Sequence, residues 1–137
     1  MAQSVASTYP NFPRGRSVVA FTGSVARTDT TAKDLFTLRA GDIPLRVSMF
    51  GTAASDASVN ARISIGSTGN VAYFAAGLDV KSTALTSGGL GQSFPSSATN
   101  LMVPLAFDTT VQATYAEAGT ASTTGGPWVV VMEVLTV

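Results

Sequence analysis

At 137 residues the chain has the length of one domain, and a domain of that size buries roughly 70% of the surface its unfolded chain exposes, enough to stand on an apolar core. Charged residues make up 12% of the chain and sum to zero, and it contains neither cysteine nor histidine. That excludes disulfides, thiolate metal sites and a cysteine nucleophile, removes the commonest general base near neutral pH, and leaves no basic excess to neutralise phosphates, so neither an enzyme nor a nucleic-acid binder is expected.

The first sixteen residues form a separate unit. Met1 to Ser7 lack the cationic leader and apolar run of a secretory signal, so synthesis in a host cytoplasm is expected. Tyr9-Pro10-Asn11-Phe12-Pro13-Arg14-Gly15-Arg16 follows, with two prolines that bias the backbone toward extended geometry. Residues 1–16 therefore read as an extended arm. Its aromatics are costly to leave in water, at about 1.5–3 kcal/mol for each large side chain, so the arm either folds back over its own domain or reaches a neighbour.

Residues 17–137 read as one β-sandwich. Ser17–Thr22 is the first strand, closed by Gly23-Ser24, and Leu35–Leu38 precedes the turn Arg39–Asp42. In Leu45-Arg46-Val47-Ser48-Met49 apolar and polar residues alternate, which assigns Leu45, Val47 and Met49 to the core, and Ala61–Ile65 repeats the pattern with Ile63 and Ile65 inward. Gly66–Asn70 reads as a turn, Val71–Ala75 and Leu78–Val80 as two strand pieces, and Lys81–Thr99 as the longest loop. Leu101–Phe107 and Val111–Tyr115 are the next strands, Ala118–Gly126 a small-residue loop, and Trp128–Val137 the last strand. Seven to nine short strands separated by turns fit an all-β, jelly-roll-like antiparallel sandwich.

The last strand is apolar on both faces, with Trp128, Val130, Met132 and Val134 on one and Val129, Val131, Leu135 and Val137 on the other. A strand with one wet face would alternate, so this one is either central and covered twice or part of a subunit interface. The candidate interface is accordingly Tyr9, Phe12, Arg14 and Arg16 of the arm with Trp128, Val129, Val131 and Leu135. Residues 1–46 carry six basic side chains against three acidic, and residues 47–137 two against five, an asymmetry able to steer subunits together.

No chemical motif emerges. Asp29 with Asp34, or Asp108 with Glu117, would have to converge to serve as paired carboxylates, and each sits among Thr and Gly as turn residues do. No Asp-x-Asp-x-Asp calcium loop exists, and Gly88-Gly89-Leu90-Gly91 lacks the lysine of a phosphate loop. Trp128, Tyr73 and Tyr115 are the aromatics a sugar site would use, but strand patterning buries them. The apolar run Trp128–Met132 is far short of the roughly 20 residues a membrane helix needs. Neither cofactor, metal nor membrane is expected.

The runs Phe21–Lys33, Phe50–Ser55 and Gly125–Glu133 give the chain a texture that resembles small virion structural proteins of tailed bacteriophages, the capsid decoration, cement and head-fibre proteins. The resemblance implies a β-sandwich or jelly roll on the capsid exterior, a homodimer or homotrimer bound to the major capsid protein lattice, without catalytic residues. The competing expectation is a receptor- or carbohydrate-binding module of a tail or head fibre, with loops 81–99 and 118–126 as its binding elements.

Overall fold

A computed structural model describes residues 16–51, 53–81, 91–94 and 100–137, the segment 91–94 by its backbone alone. Eight strands follow in chain order: β1 (Val18–Val25), β2 (Lys33–Leu38), β3 (Ile43–Gly51), β4 (Asn60–Ser67), β5 (Asn70–Asp79), β6 (Gly91–Phe94), β7 (Thr109–Ala118) and β8 (Trp128–Leu135). They make two four-stranded antiparallel sheets, β1-β8-β3-β6 and β2-β7-β4-β5. The first strand pairs with the last, the second with the seventh, the third with the sixth and the fourth with the fifth. A chain doubled at its midpoint and rolled into two sheets has this nested order, and it is the order of a jelly roll, as the sequence leads one to expect.

The nesting fixes two ends. One, the near end, gathers the start of β1, the end of the chain after β8, the β2–β3 turn, the β4–β5 turn and residues 100–108 ahead of β7; the far end gathers the β1–β2, β3–β4 and β7–β8 connections. Between the sheets lie Val25, Leu38, Val47, Met49, Ile63, Ile65, Phe74, Leu78, Val130, Met132 and Val134, with Tyr115 and Trp128 stacked at 5.6 Å and 12° near the far end. Gly51 is where β3 passes the indole: a Cβ there would overlap Trp128 Cδ1. The indole N–H has no hydrogen-bond partner among the described residues.

Several elements differ from the expectation. Leu45 is half-buried rather than a core residue, because pairing with β8 shifts between Pro44 and Arg46 and leaves it the extra residue of a bulge. The two pieces at 71–80 are one strand, continuous through Gly77 at φ +60°, where only glycine is unstrained. Residues 91–94 are a strand inside the segment read as loop, and most of the rest of 81–99 lies outside the described residues. Leu101–Phe107 is no strand. Pro104 cannot donate to a ladder, and the segment instead bonds to the β2–β3 turn, through Met102 N–H to Pro44 O, Leu105 N–H to Asp42 O and Gly41 N–H to Leu105 O.

Candidate interaction surfaces

Position within the sheet explains the two apolar faces of β8. It lies between β1 and β3, and its residues 128, 130, 132 and 134 point into the sandwich, each completely buried. Trp128 therefore belongs to the core and offers no surface to a partner, a correction to its place among the interface candidates. Val129, Val131 and Leu135 point the other way, onto the outer face of the sheet, beside Thr22 and Ser24 of β1 and Ser48 and Phe50 of β3. Val129 and Phe50 are 41% and 42% exposed and Val131 and Leu135 half-buried. The central strand is thus covered once by the core, and its outer face is an apolar strip crossed by the ion pair of Arg46 Nη2 with Glu133 Oε2 at 2.7 Å. A lone exposed pair of this kind adds little stability; here it interrupts the strip with fixed charge. Of the arm candidates, Arg16 is exposed at the start of the described chain, and Tyr9, Phe12 and Arg14 lie outside the described residues.

The near end is a surface that sequence reasoning missed. Of the ten large apolar side chains most exposed among the described residues, seven stand there: Val18, Val19, Val71, Met102, Val103, Phe107 and Val137. Met102 is 57% exposed, Val103 50% and Phe107 78%, although the backbone carrying them is tied down. Besides the three bonds to the β2–β3 turn and Pro44, Ala40 N–H donates to Asp108 Oδ1 at 2.9 Å, and Thr109 Oγ1 donates to the Phe107 carbonyl. Met102 holds φ at +65°, a region L side chains rarely adopt and one that persists only where surrounding bonds enforce it. Asp42, itself buried, fastens the chain terminus to the same turn by accepting from Arg39 N–H and Val137 N–H. The signal in the sequence was Pro104 inside an apolar run, which forbids a central strand and leaves those apolar side chains unassigned. Beside Phe107 a cleft of about 380 Å³ opens between the β4–β5 turn and residues 105–110, with Tyr73 and Leu105 in its walls.

The far end is a polar latch between two loops. Asp56 accepts from Thr123 N–H at 2.7 Å, Thr123 Oγ1 at 2.8 Å and Thr124 N–H at 3.0 Å. These bonds, the Thr124 backbone N–H foremost, hold its carboxyl far below the usual carboxylate range. Inside, Tyr115 donates to Glu117 Oε1 at 2.8 Å and lies 2.7 Å from Ser55 Oγ, while Ser122 N–H donates to the Glu117 carboxylate. Bonds from Ser122 and then Tyr115 lower the Glu117 carboxyl; burial pushes the Tyr115 phenol up. Arg27 completes the set by donating to the Ser122 carbonyl at 3.0 Å.

This is a structural arrangement, and the paired carboxylates do not assemble. Asp108 and Glu117 stand at opposite ends of β7, about 30 Å apart at ~3.3 Å per residue. Asp29 is occupied by Ala26 N–H and Lys33, Asp34 by Gln112 Nε2. Among the described residues no group of three or more acidic side chains is placed to hold a metal ion. Nor is there a stacking platform for a sugar in the expected aromatics, since Trp128 and Tyr115 are core residues and Tyr73 is half-buried.

No protein-family model matches the sequence, and comparison with curated proteins yields no match. Solved structures do match. A chain of the cyanophage Pam1 capsid asymmetric unit aligns with 99% of this chain and 94% of its own at a TM-score of 0.66 and 19% identity. A chain of the acidic stable capsid of Helicobacter pylori bacteriophage KHP30 aligns over 88% and 90% at 0.56 and 15% identity, and one of the capsid of Ralstonia phage GP4 over 93% and 88% at 0.57 and 11% identity. The chain is therefore similar in fold, over nearly its whole length, to chains found in three phage capsid structures.

Proposed function

We propose that the chain is a bacteriophage virion structural protein of the decoration or cement type, bound to the major capsid protein lattice on the capsid exterior. The observation that carries this reading is the end-to-end likeness of fold to a chain of the Pam1 capsid, 99% of one chain on 94% of the other. An isolated shared domain would leave large parts of either chain uncovered. Physical features support it independently. Both surfaces rich in exposed apolar side chains are built on rigid backbone, one on a central strand and one on a connection fixed by main-chain bonds, and interfaces on preorganised surfaces lose little ordering entropy on association.

In this account the outer face of β1-β8-β3 joins subunits into a homodimer or homotrimer, through Val129, Val131 and Leu135 with Phe50 beside them. The near end, with Met102, Val103 and Phe107 and the arm 1–16, meets the lattice. The test is the binding of a chain lacking residues 1–16 to capsids that lack the protein. Loss of binding with the circular-dichroism spectrum of the sandwich intact is expected; binding equal to that of the full chain would refute docking through the arm.

A further inference from the structure

We propose that the free edge of β1 pairs with the same edge of a second copy, antiparallel about a two-fold axis at Ala20, so that the β1-β8-β3-β6 sheets of two subunits run on as one. The edge strands of the two sheets are β1 and β6 in one and β2 and β5 in the other. An edge strand presents unpaired main-chain groups, and proteins protect such edges by shortness, charge or irregularity. β6 has four residues. β2 carries Lys33 and Asp34, and its pairing shifts between Asp34 and Phe36. β5 pairs irregularly with β4, passes through Gly77 at φ +60°, and has its Tyr73 carbonyl taken by Asn100 Nδ2 at 2.8 Å. β1 has none of these devices: its eight residues pair with β8 in unbroken register, and Ser17 to Ala26 include neither charge nor proline.

The bonds to β8 fix which main-chain groups point outward. Ser17 bonds toward β8, its carbonyl accepting from Thr136 N–H at 2.8 Å. Alternation in an antiparallel ladder then turns Val19, Phe21 and Gly23 toward β8 and Val18, Ala20, Thr22 and Ser24 away from it. The Ser24 carbonyl accordingly accepts from Lys33 Nζ at 2.7 Å. The outward groups of Val18, Ala20 and Thr22 have no partner among the described residues. A two-fold axis at Ala20 matches these residues with themselves: Ala20 faces Ala20 of the partner subunit, Val18 faces Thr22 of the partner subunit, and each facing pair exchanges both hydrogen bonds. An axis at Phe21 would need the Ser24 carbonyl that Lys33 occupies. The same register sets Val19 against Phe21 of the partner subunit on the inner face, a β-branched and aromatic cross-strand pair. Val19 is 39% exposed, and Phe21 is half-buried beside Leu35 and Phe36, its ring 5.4 Å from that of Phe36, where the core comes to the surface between β1 and β2. A two-fold contact sets like on like, so a charged edge would repel its copy and this uncharged one does not. These matches, which a strand of unrelated sequence does not share, commit the edge to a second copy. The pairing leaves the outer face of β8 uncovered, so it goes beyond the outer-face contact proposed above and does not depend on it.

The absence of cysteine from the sequence makes the register testable. Val18→Cys, Ala20→Cys and Thr22→Cys each alter an exposed position, and mild oxidation of each full chain is followed on non-reducing gels. Ala20→Cys should close a covalent dimer, its Cα atoms ~5.5 Å apart across the axis. Val18→Cys and Thr22→Cys alone should do so at least ~10-fold more slowly, because each sits roughly 14 Å from its own copy, whereas an equal mixture of the two should recover the fast rate as a heterodimer. Ala20→Pro removes an outward donor without touching the bonds to β8 and should weaken self-association at least ~10-fold in analytical ultracentrifugation. Ala20→Lys, which stands beside Glu133 within its own chain, sets like charges face to face across the axis and should weaken it at least ~3-fold with the circular-dichroism spectrum unchanged. All variants are also read in the Val131→Asp chain, so that failure of the outer-face contact is distinguished from failure of this one. Equal rates for the three single cysteines, no heterodimer from the mixture, or unchanged association of folded Ala20→Pro or Ala20→Lys protein would each overturn the proposal.

Discussion

Val131→Asp separates the two faces of β8. Val130 and Val131 are sequence neighbours, but Val130 is completely buried whereas Val131 faces outward between Thr22 and Ser48. Within one chain the substitution puts a carboxylate where water already reaches, so its cost is mainly the poorer strand propensity of aspartate, about 1 kcal/mol, and a fall in Tm of roughly 4 °C. In an oligomer closed through this face the energetics change. Each subunit forfeits part of the ~1.5–3 kcal/mol that burying a valine provides and carries a charge into a desolvated contact. A two-fold contact meets that loss twice, about 3–6 kcal/mol, which weakens association by about 10²–10⁴-fold at 1.4 kcal/mol per decade. Analytical ultracentrifugation over a dilution series reads the assembly, and a thermal melt at each concentration reads the fold. Full-size assemblies of folded Val131→Asp protein at the wild-type dissociation constant would refute the assignment of this face, as would a wild-type chain that stays monomeric at high concentration.

Other predictions concern the frame that holds these surfaces. Gly51→Ala drives a methyl group into the Trp128 ring and should cost about 1–3 kcal/mol in urea denaturation, as overpacking of a filled core does. Tyr115→Phe removes the hydroxyl that bonds Glu117 and the buried Ser55 and should cost about 1–3 kcal/mol in the same assay, with a weakened near-ultraviolet signal from the Trp128 stack. Because the folded carboxyls of Asp56 and Glu117 titrate below their unfolded values, their stabilisation is present above the ordinary carboxylate range near pH ~4 and is lost as the pH falls through the depressed folded values. Thermal melts should therefore show a loss that begins as the pH falls below about 4 and grows toward pH ~2, and that Asp56→Asn makes smaller; an unchanged pH dependence in that variant would deny the latch its role.

How much of this was legible in sequence follows from what a period of two can say. Alternation in 45–49 and 61–65 marks half-buried strands and places Val47, Met49, Ile63 and Ile65 correctly, but it cannot see a bulge, and Leu45 lost its core position to one. The double apolar face of β8 identifies a central strand; which face turns inward depends on the sheet opposite, so Trp128 entered the interface set with Val129 and Val131. β6 was invisible because Gly91-Gln92-Ser93-Phe94 has little apolar patterning, and it is a short edge strand whose pairing with β3 no local pattern announces. Leu101–Phe107 misled in the opposite sense: an apolar run without a strand is one whose side chains diverge, with Leu101 and Leu105 anchoring the connection and Met102, Val103 and Phe107 turned to solvent. Surfaces of that kind arise from long-range bonds, here to Pro44, Gly41 and Asp42, that no local pattern encodes.

The central claim is tested most directly by titrating purified chain onto capsids that lack it and counting bound copies by quantitative gel and by cryo-electron microscopy. The account predicts saturable binding in fixed proportion to the major capsid protein, with the near end of each sandwich against the lattice. Absence of binding, or copies confined to a single vertex or to a tail, would contradict it.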